Sequence, residues 1–205
     1  VNAGEGGLLV TDDNALAARV IMLSAFAMLY DRHLAGPPPE AFETIKYDTP
    51  NISGRMDNLR VAILRPQLKR LEAQIDGWNA RYHVVQDGLR DTPGLTLIDR
   101  PAVERFVGSS FQFLLSGWSP EAITSVLTRC AARGVELKWF GGAEPQGFTS
   151  RYDSWRYAEP SALPASDAVL ASIIDMRVPL TFSLEDCALI ARIIRAEVSA
   201  VFQQG

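Results

Sequence analysis

Val1-Asn2-Ala3-Gly4-Glu5-Gly6-Gly7-Leu8-Leu9-Val10-Thr11-Asp12-Asp13 is the stretch on which the reading of this chain turns. Three glycines around one glutamate lead into an apolar triplet, which ends in a threonine and two aspartates. Glycine lets a backbone turn tightly, so the loop reads as a sharp entry into whatever follows. The unbroken run Leu8-Leu9-Val10 has the pattern of a strand buried on both faces of a parallel or mixed sheet. Phosphate-binding glycine loops follow a strand and open a helix; this one precedes a strand and carries an acid. A phosphate cradle is therefore its weaker reading and a tight turn its stronger one. A strand buried on both faces needs neighbours, yet no second strand is recognisable before residue 77. The expectation is a sequence that starts inside a larger fold.

Working outward, Asp12 and Asp13 are good N-caps for a helix beginning near Asn14. Leu16, Val20, Leu23 and Ala27 recur at three- and four-residue steps and predict its buried face. Gly36-Pro37-Pro38-Pro39 cannot lie inside a helix, and residues 34–51 read as a long loop, a length that is often functional. A second helix is predicted from about Asp57 to Asp91, with Leu64, Leu68, Leu71, Ile75, Trp78, Tyr82 and Val85 as its stripe. Pro66 should kink it there or mark its true first turn, and Gly77 is the expected bend between the halves of a helix linking two domains.

Past Thr92-Pro93-Gly94 the texture becomes α+β. Leu95 and Leu97, then Phe111, Phe113 and Leu115, then Val135, Leu137 and Trp139 alternate as strands. Ser119-Pro120-Glu121 opens a helix with a capping hydroxyl, Pro at its first position and early negative charge. Ile123, Val126, Leu127 and Cys130 face its core, and Gly134 ends it. The span from Gly141 to Pro164 reads as an ordered loop. Ser183 and Asp186 form a capping box for a last helix with Ile190, Ile194, Val198 and Val201 buried. The plan is residues 1–76 as the tail of an α/β domain and residues 77–205 as a small α+β domain.

Hydrophobic residues at 47% and charged residues at 21% describe a globular protein rather than a disordered one. A net charge of −4, with scattered lysines and arginines, argues against nucleic acid as a partner. No apolar run approaches the roughly 20 residues that span a bilayer, and no signal peptide is seen, so a cytoplasmic, non-membrane protein is expected. Cys130 and Cys187 lie in apolar helical patterns and read as core residues. His33 and His83 have no partners for a metal site, and none is predicted.

Few residues have the character of a site. Asn51, Ser53 and Arg55, in Pro50-Asn51-Ile52-Ser53-Gly54-Arg55-Met56-Asp57, place hydrogen-bond donors at a helix entrance, where anions are favoured. The same residues could merely satisfy the turn, with Arg55 pairing a carboxylate. Lys46, Lys69 and Lys138 lack the desolvated setting a Schiff-base lysine needs and read as surface residues, so no catalytic residue is assigned. Arg151-Tyr152-Asp153-Ser154-Trp155-Arg156-Tyr157 could line a pocket for an anionic or sugar-like ligand, or simply pack on its own domain.

Taken together, these stretches resemble the DegT/DnrJ/EryC1/StrS aminotransferases, the sugar-aminotransferase branch of the fold-type-I pyridoxal-phosphate enzymes. The likeness is carried by Gly4-Glu5-Gly6-Gly7 with Leu8–Asp13 and by Arg55-Met56-Asp57-Asn58-Leu59 with Ala62-Ile63 and Gln67-Leu68. Val178-Pro179-Leu180 followed by Ser183-Leu184-Glu185-Asp186 adds the family's closing strand and last helix. The resemblance implies an α/β fold: the C-terminal part of the large cofactor-binding domain plus the small α+β domain. It implies pyridoxal 5'-phosphate as cofactor, a homodimer, and transfer of an amino group from Glu or Gln to a keto-sugar, in exchange with an amino-sugar. In the family the Schiff-base lysine lies just upstream of the glycine loop, so this chain lacks it and is expected to be inactive alone. An Asn two residues before the motif Arg reaches the cofactor phosphate of the neighbouring subunit. That position is Ser53 here, with Asn51 two residues earlier and Arg55 matching the Arg. The alternative expectation is a non-catalytic remnant that dimerises or binds a sugar nucleotide.

Overall fold

The computed structural model describes residues 2–24, 35–144, 159 and 161–204. The chain divides into two compact units, Val1–Leu71 and Glu72–Gly205. The expected boundary at 76/77 lies a little further on, inside a helix. Ala27, His33 and the segment Arg151–Tyr157 lie outside the described residues.

In the first unit the glycine loop turns sharply, with φ of +88° at Gly4 and +134° at Gly6. The triplet after it departs from expectation. Leu8, Leu9 and Val10 are 66%, 59% and 95% exposed, and they pair with no strand among the described residues of this unit. An extended segment gains strand character only from a neighbour's N–H and C=O groups, and none among the described residues supplies them. Helix α1, Asn14–Ser24, starts where Asp13 accepts from the backbone N–H groups of Ala15 and Leu16 at 2.8 and 3.1 Å. Its buried residues are Ala18, Ile21 and Met22, packed on Phe42, whereas Leu16 is exposed. The helix is apolar nearly all round, so periodicity does not select one face. Phe42 ends a 3-10 turn, Pro39–Phe42, within what reads from sequence as a structureless loop.

The expected single helix from Asp57 is two. Helix α2, Asn58–Lys69, is capped by Asp57, whose carboxylate accepts from the Arg60 N–H at 2.9 Å. Pro66 lies within it and donates no hydrogen bond, which weakens the last turn. The helix ends at Arg70 (φ −104°, ψ 4°), and α3 runs Leu71–Leu89. Gly77 makes no bend. It sits inside α3, where a Cβ would come 3.1 Å from a Leu180 methyl.

The second unit joins α3 to a four-stranded antiparallel sheet. Its elements are β1 (Thr96–Leu97), β2 (Ser110–Leu114), α4 (Pro120–Ala132), β3 (Lys138–Trp139), α5 (Pro164–Leu170), β4 (Ile173–Arg177) and α6 (Leu184–Phe202). The strand order is β1-β2-β4-β3, with Phe111 opposite Met176 and Phe113 opposite Ile174. Phe111, Phe113, Leu115, Ile174, Met176 and Val178 turn into one core with Tyr82, Val85 and Leu89 of α3, Ile123 and Val126 of α4, and Ile194 and Val198 of α6. Strand β4, central to the sheet, is absent from the sequence expectation, which put the closing strand at Val178-Pro179-Leu180. The Val178 N–H still bonds to the Ser109 carbonyl at 2.9 Å. Pro179 then has no N–H to continue the ladder.

Both helix starts read from sequence form as expected. Ser119 caps α4, and Ser183 and Asp186 bond reciprocally at 3.0 and 2.8 Å to open α6. Helix α4 ends in crossed bonds, Val135 N–H to Cys130 C=O and Gly134 N–H to Ala131 C=O, with Gly134 at φ +81°. Between α4 and α6 lies an ionic group built on a buried carboxylate. Glu197 accepts from Arg129 at 2.6 Å and from Arg133 at 2.7 Å. The bonds from Arg133 and then Arg129 hold its carboxyl below the usual range. Cys130 and Cys187 are fully buried free thiols, and burial pushes the Cys130 thiol up to about 11.

Candidate functional site

Asn51, Ser53 and Arg55 stand on one short exposed loop ahead of α2. Its backbone is tied down at the Ile52 N–H, which donates to the Leu23 carbonyl at 2.8 Å. The Asn51 side-chain oxygen accepts from the Ser53 N–H at 2.7 Å, an Asx turn that leaves the amide nitrogen as donor. Ser53 is left-handed, with φ of +53°, a region that asparagine enters more readily than serine. Its hydroxyl has no hydrogen-bond partner among the described residues. Arg55 follows and is itself engaged within the structure. The Asp57 carboxylate, two residues on, is turned onto α2. The Arg60 N–H first, and the Arg60 guanidinium at 2.6 Å after it, hold the Asp57 carboxyl below its ordinary range. The loop therefore offers donors beside a carboxylate, Asp57, that is already paired with Arg60.

The glycine loop is built by contacts that sequence reading did not anticipate. The Gln67 amide accepts from the Asn2 N–H at 2.8 Å and donates to the Asn2 carbonyl at 2.7 Å. Asn2 in turn accepts from the Gly4 N–H at 2.9 Å. Under the loop, a Cβ on Gly6 would sit 2.6 Å from the Met56 methyl. A cavity of about 170 Å³ lies there, lined by Asn2 to Leu8 with Met56 and Leu64. The signal for Gln67 was its three-residue step from Leu64, which puts an amide on the inward side of α2.

The lysines fall in different settings. Lys46 is not a loosely solvated residue: its side chain is 17% exposed and pairs with Glu43 at 2.8 Å. Lys69 is exposed and Lys138 half-buried at the sheet edge. Among the described residues no group of His, Cys, Asp and Glu could hold a metal ion, and no helix is long and apolar enough to cross a membrane.

The fold is that of the fold-type-I pyridoxal-phosphate transferases, of which this chain holds a mixed α/β part with a small sheet. DesI, solved in the presence of its TDP-sugar product, matches with a TM-score of 0.65 at 17% identity, over 95% of this chain and 46% of that one. The aminotransferase TlmJ from Streptoalloteichus hindustanus matches with a TM-score of 0.61 at 15% identity, over 73% of this chain and 38% of that one. In sequence, the erythromycin biosynthesis sensory transduction protein EryC1 of Saccharopolyspora erythraea is 32% identical over 98 residues, 46% of this chain and 22% of that protein. The chain thus spans less than half the length of each of these proteins. The sequence model of the DegT/DnrJ/EryC1/StrS aminotransferase family matches residues 1–195, and the chain belongs to that family.

Enzymes of this family use pyridoxal 5'-phosphate. The donors of the Asn51–Arg55 loop fit the phosphate end of that group: a hydroxyl without a partner among the described residues and an amide nitrogen, beside an Asp57 carboxylate already paired with Arg60.

Proposed function

We infer that this chain is the C-terminal portion of a pyridoxal-phosphate-dependent sugar aminotransferase. The complete enzyme transfers an amino group from Glu or Gln to a keto-sugar carried on a nucleotide. Residues 1–76 are the end of the large cofactor-binding domain and residues 77–205 the small domain. The complete protein works as a cytoplasmic homodimer. The observation that carries this reading is the Asn51–Arg55 loop, a donor-rich turn in the position where the family meets the cofactor phosphate. The exposure of Leu8, Leu9, Val10, Leu59, Val61 and Ile63 supports a first unit that packs against further protein.

In this reading Ser53 and Asn51 donate hydrogen bonds to the cofactor phosphate of the neighbouring subunit, and Arg55 keeps the loop in shape and lends positive charge. The Asx turn holds the Ser53 backbone in place before the ligand arrives, so little backbone ordering is needed on binding. When bound, pyridoxal phosphate supplies the electron sink for amino-group transfer. The proton transfers belong to a lysine upstream of the glycine loop.

The test is direct. The chain mixed with pyridoxal 5'-phosphate should develop no long-wavelength absorbance, and borohydride should fix no cofactor to a lysine. A single modified lysine in the digested chain would refute the expected inactivity. Phosphorus NMR should show pyridoxal 5'-phosphate bound by the chain and released by Ser53→Ala. Binding unchanged in that variant would remove Ser53 from the site. Sugar-nucleotide binding without any cofactor binding would favour a non-catalytic module instead.

A further inference from the structure

Gln67 is a residue that the proposed reaction leaves without a task, and its contacts are the most specific in the first unit. One side-chain amide satisfies both backbone groups of Asn2, as an adjacent strand would, and the same nitrogen lies 3.1 Å from the Ile63 carbonyl of its own helix. The reciprocal pattern dictates the side chain. A carboxylate accepts from the Asn2 N–H but cannot donate to its carbonyl, and an alanine does neither. From Asn2 the constraint passes through the Asn2–Gly4 hydrogen bond to the glycine loop, which rests at Gly6 on Met56.

We propose that Gln67 is a positioning residue: its amide sets the register of the backbone entering the glycine loop and holds that loop over the cavity against α2. This deepens the proposed function, since in that reading the entry to the loop is where the family's lysine is presented. The device is strand pairing by proxy. Helix α2 has no strand to offer, so one side chain supplies the acceptor and the donor that a strand would have.

The experiment uses the whole chain and amide NMR of Asn2, Gly4 and Gly6. Gln67→Ala should speed hydrogen exchange at Asn2 and Gly4 by about tenfold, with amides of the second unit unchanged. Gln67→Glu near neutral pH keeps the acceptor for the Asn2 N–H but offers no donor to the Asn2 carbonyl, so exchange should rise at Gly4 and the Asn2 resonance should shift. On acidification through the carboxyl's own titration, near pH 4–5, its protonated form can again both accept and donate. The Asn2 and Gly4 resonances of that variant should then return toward wild-type positions, a titration that wild type and Gln67→Ala do not show. Helix loosening alone would not produce that acid rescue. Wild-type exchange at Asn2 and Gly4 in both variants, or no rescue in Gln67→Glu, would overturn the proposal. These readouts involve no cofactor, so failed pyridoxal phosphate binding with the clamp intact would count against the functional reading only.

Discussion

Replacing Glu197 with Gln tests whether the second unit depends on the ionic group between α4 and α6. The Glu197 side chain is 11% exposed, whereas Arg129 and Arg133 are 43% and 48% exposed. The carboxylate is thus desolvated while both guanidinium groups keep part of their water. Two charge-assisted hydrogen bonds would be worth about 1.5–3 kcal/mol each in a favourable setting. Half-exposed arginines recover hydration when released, and Gln keeps one acceptor and the side-chain volume. We therefore expect Glu197→Gln to cost about 2 kcal/mol, a fall in melting temperature of about 5–8 °C for a unit of this size. The pH dependence carries the sign. The folded carboxyl is held below its unfolded value, so its stabilisation is present above the ordinary carboxylate range. That stabilisation is lost as pH falls through the depressed folded value. Urea midpoints of wild type and variant should differ at pH 7 and converge toward pH 3. A variant as stable as wild type at pH 7, or a gap that persists unchanged in acid, would refute the reasoning.

Two further outcomes follow from the geometry. Ser53 holds φ of +53°, so Ser53→Asn should raise the stability of the first unit by about 0.5–1 kcal/mol, and Ser53→Val should lower it. Denaturant midpoints that rank the three otherwise would contradict the left-handed assignment. The Cys130 thiol, fully buried and pushed up to about 11, should resist a disulfide reagent at pH 8 until the unit unfolds. Rapid labelling of folded protein would show that the α4 core is open.

Local chemistry is what the sequence by itself determined. Capping depends on residues within one turn of each other, so Ser119, Ser183 with Asp186, and the Gly134 stop were all readable. Alternation placed Phe111, Phe113 and Leu115 inward because each strand residue's face is settled by its own pleat. The family likeness rested on the same short motifs, and the family match covers most of the chain. Tertiary structure alone decided the rest. Leu8-Leu9-Val10 has strand composition, but a strand exists only where another backbone pairs with it, and none does among the described residues. Helix α1 is apolar on several sides, so packing against Phe42, Ala41 and Ile45 selects Ala18, Ile21 and Met22 as the buried face. Strand β4 carries Asp175 between Ile174 and Met176 and is recognised through pairing with β2 and β3, more than 30 residues away in sequence. At the opening glycine loop, composition foretold a sharp turn. What holds that turn is a glutamine 65 residues away: its place on the inward side of α2 was readable, its partner was not.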